Sequence, residues 1–300
     1  MRINPVYKKE LKISVRTIRM SLIIFAYNAV LALISLLAFH FTFLGDYSGA
    51  IQYSNVLSIY LLIACVQFGL VLFVIPAFTS SAISGERERQ TLEILLTTTM
   101  KPYQIIVGKL ASSISETLLL VISSIPVLSI IFTVGGVEIK DILVLFFVTG
   151  ITAIFIGSIG IFFSTVFKKT VPATIFTYGT LIILLFGTII IAYVIRMVSV
   201  SAYDTQYYAS GATGDYMPPT LTGLPYIFLV NPAVTMVSLV SGQFGDATYL
   251  ERFLAVFGDV EKHVLNHWFG ISIMIQLILA VFLLWIAAKR LNPIRKPRRK

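Results

Sequence analysis

The chain holds few of the residue types that carry out chemistry, and these do not form a catalytic or metal-binding pattern. Its one cysteine, Cys65, lies in an apolar run, and its three histidines, His40, His263 and His267, are scattered. A single thiol can form neither a disulfide framework nor a cysteine-based zinc site within one chain. The sequence contains no GxSxG, HExxH or GxxxxGK[ST] pattern. We therefore expect no catalytic residue, metal site or cofactor on this chain.

Charged residues concentrate instead in one segment, which reads SGERERQTLEILLTTTMKPYQIIVGK from Ser84 to Lys109. Acidic and basic side chains alternate at its start, at Glu86, Arg87, Glu88 and Arg89. Three leucines follow on one helical face, at Leu92, Leu95 and Leu96. Lys101-Pro102 then interrupts the helical pattern. The spacing predicts a short helix over Ser84–Leu96, which a soluble partner could push. A merely solvated basic loop would not require this ordered pattern.

The elements that must position this segment are transmembrane helices. The chain has 300 residues, of which 57% are hydrophobic and 12% charged, and its mean hydropathy is +0.90. Such a composition is far more apolar than that of a soluble domain, so a water-soluble fold is excluded. A membrane span needs about 20 mostly apolar residues. Six stretches qualify: Ser21–Leu44, Asn55–Phe78, Leu110–Thr133, Ile142–Phe167, Val171–Val198 and Trp268–Ala288.

The distribution of basic residues predicts the orientation of these spans, because cytoplasmic loops are enriched in Lys and Arg. With the amino terminus inside, only four of the 23 basic residues fall outside: Lys140, Arg196, Arg252 and Lys262. Both termini are therefore assigned to the cytoplasmic side of the cell membrane, including the basic tail 289–300. The formal charge of +9 is thus explained by basic residues at the cytoplasmic membrane surface, and no nucleic-acid partner is predicted.

The remaining segments complete a single transmembrane domain, 1–300. Residues 1–20 alternate basic and apolar side chains at helical spacing and predict an amphipathic helix on the cytoplasmic membrane surface. Residues 79–109 form the cytoplasmic loop, and 199–267 form the extracellular region. Within the latter, Tyr226–Val240 is short and is broken at Asn231-Pro232. We expect a re-entrant or interfacial helix pair there, because a crossing would place the basic tail outside. The predicted fold is an all-α integral membrane protein with six transmembrane helices.

The loop after the second span resembles that of the type-2 (ABC-2) permeases of ABC exporters. The family signature looks like Gly-Glu-Arg-Glu, Thr-Leu-Glu, Leu-Leu, a proline and Gly-Lys. It is matched here by Gly85, Glu86, Arg87, Glu88, Thr91, Leu92, Glu93, Leu95, Leu96, Pro102, Gly108 and Lys109. A second resemblance covers Phe162–Gly179, where a span ends at a serine and the chain re-enters through a short basic loop.

The resemblance implies that this chain is the permease subunit of an ATP-driven exporter. Two ABC ATPase subunits would bind ATP and magnesium and would work with two permeases, either as a homodimer or as a heterodimer. Membrane lipids are the other expected partner. The residues implied in ATPase coupling are Gly85, Glu86, Arg87, Glu88, Arg89, Thr91, Leu92, Glu93, Leu95 and Leu96. The chain itself lacks an LSGGQ-like signature as well as a phosphate loop.

Glu116 is the one carboxylate within the predicted spans. An unpaired charge in hydrocarbon is costly, so Glu116 must face water, meet a partner or be protonated. A role in gating or the substrate path and a structural hydrogen bond both remain open.

Two other classes of protein compete with the permease interpretation. An intramembrane enzyme needs paired reactive groups at matching depth, which the spans do not offer. A channel or ion-coupled secondary transporter, which would work without ATP, usually shows inverted repeats or several intramembrane ionisable groups.

Overall fold

We describe the protein from a computed structural model that covers residues 5–14, 17–44, 53–97, 100–134, 138–211, 216, 219–243 and 248–291. All regular structure in these residues is helical, in agreement with the all-α prediction. The α-helices are α1 (Pro5–Ser14), α2 (Ile18–Leu44), α3 (Tyr53–Thr79), α4 (Ser84–Glu88), α5 (Leu92–Leu96), α6 (Pro102–Ser123), α7 (Ile125–Val134), α8 (Ile139–Val166), α9 (Thr170–Ile182), α10 (Thr188–Ala209), α11 (Pro232–Gln243), α12 (Thr248–Ala255), α13 (Lys262–Asn266) and α14 (Trp268–Leu291). A π-helical turn, Ile183–Gly187, joins α9 to α10, and a 3₁₀ helix, Leu224–Val230, precedes α11.

Six helical stretches in these residues are long and apolar enough to cross a membrane, which confirms the six predicted spans. They are Ile18–Thr42, Val56–Glu88, Pro102–Ile130, Ile139–Val166, Thr170–Ala209 and Trp268–Leu291. The predicted basic tail lies outside the described residues, apart from its first residues, which continue α14.

The helix that carries the third predicted span, Leu110–Thr133, begins before that span, at Pro102. The backbone N–H of Lys101 donates to Gln104 Oε1 at 3.0 Å, and Pro102 occupies the first helical position. Both features favour a helix start. Lys109, the last residue of the predicted loop 79–109, therefore lies within α6, where its charge is paired.

The chain forms two compact units, residues 1–178 with 277–300 and residues 179–276. In the first unit, α3 packs closely on α8. A Cβ atom at Gly160 would lie 2.0 Å from Thr79 Oγ1, so only glycine fits at this crossing. A small residue at such a contact lets two spans approach closely.

One end of the first unit gathers the Ser84–Leu96 segment and the ends of several spans. Ile83, Leu92, Ile106, Ile161 and Leu291 share a buried apolar cluster there, which we call the end cluster, together with Ile105, Leu110 and Ala287. Helix α9 also starts at this end, as the hydrogen bond between Thr170 and Glu88 shows. Helix α14 finishes here as well, since Ala287 and Leu291 belong to the end cluster. The bent pair Leu224–Val230 and Pro232–Gln243 would make a seventh span only if the two helices are counted as one.

The second unit contains the broken helix pair that the sequence predicted. The 3₁₀ helix and α11 meet at 93°, and the break falls at Asn231, as expected. Asn231 is fully buried, and its amide nitrogen donates to the Leu185 carbonyl at 3.0 Å and to Thr188 Oγ1 at 2.8 Å. Its Oδ1 accepts the Ala233 N–H at 2.8 Å and so caps the start of α11. The bend is thus fixed by one side chain.

Candidate functional site

The Ser84–Leu96 segment is not one helix, as the sequence predicted, but two helices of five residues each, α4 and α5. Between them, Gln90 has a positive φ of 59°. Its N–H donates to the Arg87 carbonyl at 3.1 Å, and the Thr91 N–H donates to the Glu86 carbonyl at 2.9 Å. These two bonds form a Schellman motif, which ends a helix by satisfying its last carbonyls. The sequence hid this stop because glutamine occupies the position where glycine usually signals it.

The start of α4 is held by the end of α8. The hydroxyl of Ser164 accepts the backbone N–H groups of Ile83 at 2.8 Å and of Ser84 at 2.9 Å. Helix starts carry unpaired N–H groups, and a serine normally caps them from within the same chain segment. Here the cap comes from a different span, and both Ser164 and Ser84 are fully buried. Displacement of α4 would therefore break bonds to α8.

Two adjacent charged residues in α4 bind the carboxyl end of one span and the amino end of the next. The Arg87 guanidinium donates to the Phe167 carbonyl at 2.9 Å, at the end of α8. The Glu88 carboxylate accepts the Thr170 N–H at 2.9 Å and the Thr170 hydroxyl at 3.0 Å, at the start of α9. A cation at a helix C-terminus and an anion at an N-terminus both interact favourably with the helix dipole. The order Arg-Glu thus matches the order in which α8 ends and α9 begins.

A buried lysine ties α4 to α1 and α6. The ammonium of Lys109 donates to Glu86 Oε1 at 2.7 Å and also pairs closely with the Glu10 carboxylate on α1. The Lys109 side chain is only 6% exposed. The Thr91 hydroxyl donates to the second oxygen of Glu86. We call Glu10, Glu86 and Lys109 the triad; it joins three helices that are distant in sequence.

Burial gives the triad its energetic weight. It raises the pKa of the Glu10 carboxyl above its ordinary value of 4.5, and the nearby ammonium of Lys109 offsets only part of this effect. Charges taken out of water need a partner, and removing one member of a buried pair leaves the other uncompensated. Lys109 is therefore the group on which the other two depend.

The leucines of the segment face the protein. Leu92 is 6% exposed and lies in the end cluster, and the half-buried Leu95 and Leu96 pack against that cluster. The resemblance implied all three leucines in ATPase coupling, but the structure turns Leu92 inward. This follows from their spacing: residues three and four apart share a helical face, and α5 uses that face to cover the bundle.

The opposite side of the segment is exposed. Apart from Glu88, which binds Thr170, its exposed residues are Arg89, Gln90, Glu93 and Ile94; with Thr97, just after the segment, they form what we call the exposed face. Ile94 is 68% exposed and stands among polar and charged neighbours. A large apolar side chain surrounded by charged ones is better suited to contact with another protein than to exposure to water. Of these five residues, Arg89 and Glu93 are among those that the resemblance implied in ATPase coupling.

Glu116 lies well inside α6, which begins at Pro102. It is the fifteenth residue of that helix, about four turns from its start. The side chain is half-buried. Near it, Ser115 hydrogen bonds to the Tyr7 hydroxyl of α1 at 3.1 Å.

In the described residues no group of three His, Cys, Asp or Glu side chains is placed to hold a metal ion. His263 and His267 stack with ring centroids 4.8 Å apart, and His267 Nδ1 lies 2.9 Å from the His263 carbonyl oxygen. This geometry is that of two exposed neighbours one turn apart.

The site therefore comprises more residues than sequence reasoning found. Glu10 was missed, Ser164 and Thr170 were noted only as part of the Phe162–Gly179 resemblance, and Lys109 was noted only as part of a motif. A charged residue within an apolar helical pattern was the available signal for Lys109, because such a charge requires a partner.

The model of the ABC-2 family transporter proteins matches residues 5–288. The chain belongs to the ABC-2 family. No individual curated protein matches the chain significantly. Membership of the ABC-2 family makes the protein the membrane domain of an ABC transporter, a permease, and the six spans make it a multi-pass membrane protein. The ABC-2 match covers both short motifs on which the resemblance rested.

The positive φ of Gln90 gives a first prediction. Glycine adopts this conformation without steric cost, whereas a β-branched residue does not. We expect Gln90→Gly to leave the thermal stability of the permease unchanged or slightly higher, and Gln90→Val to lower the free energy of unfolding by about 1–2 kcal/mol. Thermal unfolding in detergent measures both. Equal stability of the two variants would contradict the Schellman assignment.

Proposed function

We propose that this chain is the membrane subunit of an ABC exporter and that the exposed face of the Ser84–Leu96 segment is where a separate ATPase binds. ATP and magnesium would be bound on that partner. The ABC-2 match supports the permease assignment, and export as the direction of transport rests on the same family.

One observation carries the proposal: the segment is fixed to four helices on one side and exposed on the other. Ser164, Arg87, Glu88 and the triad attach it to α8, α9, α6 and α1. A partner that pushes on the exposed face therefore acts on the ends of several spans together. Conversion of ATP-driven closure into span movement requires such a rigid element.

The proposed assembly pairs two permeases with two ATPases, as in the family. We place the Ser84–Leu96 segment and both termini in the cytoplasm, since ATP is available there and the basic residues of the sequence are concentrated on that side. The cell membrane is the proposed location.

Ile94 and Arg89 provide the test. We expect the affinity-tagged chain, purified from the cells that make it, to bring down an ATP-hydrolysing subunit. The variant Arg89→Glu/Ile94→Asp should lose most of it, because the substitution places an unpaired carboxylate at the centre of the contact and reverses a charge at its rim. Bound ATPase activity per mole of permease is the measurement.

Ile139 and Lys140 supply a matched control. Both are exposed and lie at the start of α8, far along that helix from its end at Val166. Lys140→Glu/Ile139→Asp makes the same chemical changes there and should retain the ATPase. If both double variants behave alike, or if purified permease transports without any ATPase, the proposed function is wrong.

A further inference from the structure

Helix α1 connects the membrane surface to the Ser84–Leu96 segment. It directly precedes the first span, and the Tyr7–Ser115 hydrogen bond and the Glu10–Lys109 pair attach it to α6. Val6 is 7% exposed and is buried on the same side. Because Lys109 also holds Glu86, α1 and α4 share one ammonium group.

The opposite side of α1 is cationic. Lys8 and Lys12 are four residues apart, lie on the helical face opposite Glu10, and are exposed. Ile13, which follows Lys12 in the sequence, is 59% exposed, and Ile18 at the start of α2 is 78% exposed. Lysines next to exposed apolar side chains, at the start of a span, are the arrangement that binds anionic lipid headgroups at a membrane surface.

We propose that α1 senses anionic lipid through Lys8 and Lys12 and that the triad transmits this contact to the Ser84–Leu96 segment. Headgroups that hold the cationic side of α1 fix Glu10 in place. Glu10 in turn fixes Lys109 against Glu86, and the segment is held in its docked position. The effect on ATPase coupling rests on the proposed function, but the lipid response of the segment does not.

The charges around the triad are consistent with transmission from α1 to the Ser84–Leu96 segment. Lys9 lies beside it and, with Lys109, balances the two carboxylates. A soluble acidic partner could also meet Lys8 and Lys12. The lipid is favoured because exposed isoleucines accompany the lysines at the point where the chain enters the membrane.

Hydrogen exchange of the purified permease in nanodiscs tests the proposal without any ATPase. We compare phosphatidylcholine alone with an equal mixture of phosphatidylcholine and phosphatidylglycerol. With the anionic lipid, amide exchange should slow about threefold in both α1 and the Ser84–Leu96 segment, the size expected for a few weak ion pairs. Lys8→Gln/Lys12→Gln should abolish both changes.

Glu10→Gln separates binding from transmission, since it should keep the slower exchange of α1 and lose that of the segment. Lys109 retains Glu86 in this variant, and the lysine variant keeps the proposal testable should Glu10→Gln not fold. The control Lys140→Gln/Lys262→Gln removes two exposed lysines outside α1 and should respond as the wild type does. An unchanged segment in the wild type, or a segment that still responds in Glu10→Gln, overturns the proposal. Because no ATPase is present, neither result depends on the proposed function.

Discussion

Replacing Lys109 by methionine is expected to destabilise the permease strongly. The substitution keeps the length of the side chain but removes the ammonium group that pairs with both Glu10 and Glu86. Removing one partner of a buried pair typically costs 3–5 kcal/mol, and because both carboxylates are partly exposed we expect about 3 kcal/mol here. Thermal unfolding in detergent should show a Tm lower by about 5 °C or more.

Two further variants identify the cause of this loss. Lys101→Met removes an exposed lysine near the same loop and should leave Tm almost unchanged. Adding Glu10→Gln and Glu86→Gln to Lys109→Met removes the uncompensated charges and should recover most of the loss. If Tm does not recover when the two glutamates are also replaced, Lys109 matters for its shape and not for its charge.

The same variant should also respond to pH in a defined direction. Without Lys109 the pKa of Glu10 rises further above its unfolded value, because burial is then no longer offset. A carboxyl whose folded pKa is raised binds its proton more readily in the folded state, so lowering the pH favours folding. The stability deficit of Lys109→Met should therefore shrink between about pH 8 and about pH 5.

Much of the fold follows from the sequence because membrane spans are defined by local composition. Twenty apolar residues in a row have few alternatives to a buried helix, so the six spans were predictable. The break at Asn231-Pro232 was predictable too, since proline cannot continue a helix from the preceding turn. What bends the pair, the side chain of Asn231 capping one helix and contacting Leu185, depends on residues far away in sequence.

The site was predictable only in part, for a related reason. The charges of Glu86, Arg87 and Glu88 are visible in the sequence, but their partners are not. Glu86 binds Lys109 and Glu88 binds Thr170, at separations that no local pattern encodes. The resemblance implied these charges in contact with a partner, whereas in the structure they bind the protein itself. The stop at Gln90 was hidden because its backbone conformation is set by the two hydrogen bonds around it.

Reversal of Glu86 and Glu88 to lysine should have the largest effect on coupling. Glu86→Lys places a second ammonium beside Lys109, and Glu88→Lys places a cation at the start of α9, where the helix dipole is positive. Both attachments of α4 then repel. We expect Glu86→Lys/Glu88→Lys to lose nearly all bound ATPase activity in the copurification measurement, because the exposed face is no longer held against the bundle.

The control for this variant is Glu93→Lys, which reverses one charge of the exposed face and leaves the attachments of α4 intact. Individual rim charges contribute little to a protein contact, so this variant should retain most of the ATPase. Insertion of the six spans, checked by monodisperse elution and by helical content, should be normal in both variants. If Glu93→Lys is the more damaging change, the contact depends on the exposed charges themselves. If Glu86→Lys/Glu88→Lys retains the ATPase, the attachments of α4 do not position the contact, and the segment does not couple the ATPase to the spans.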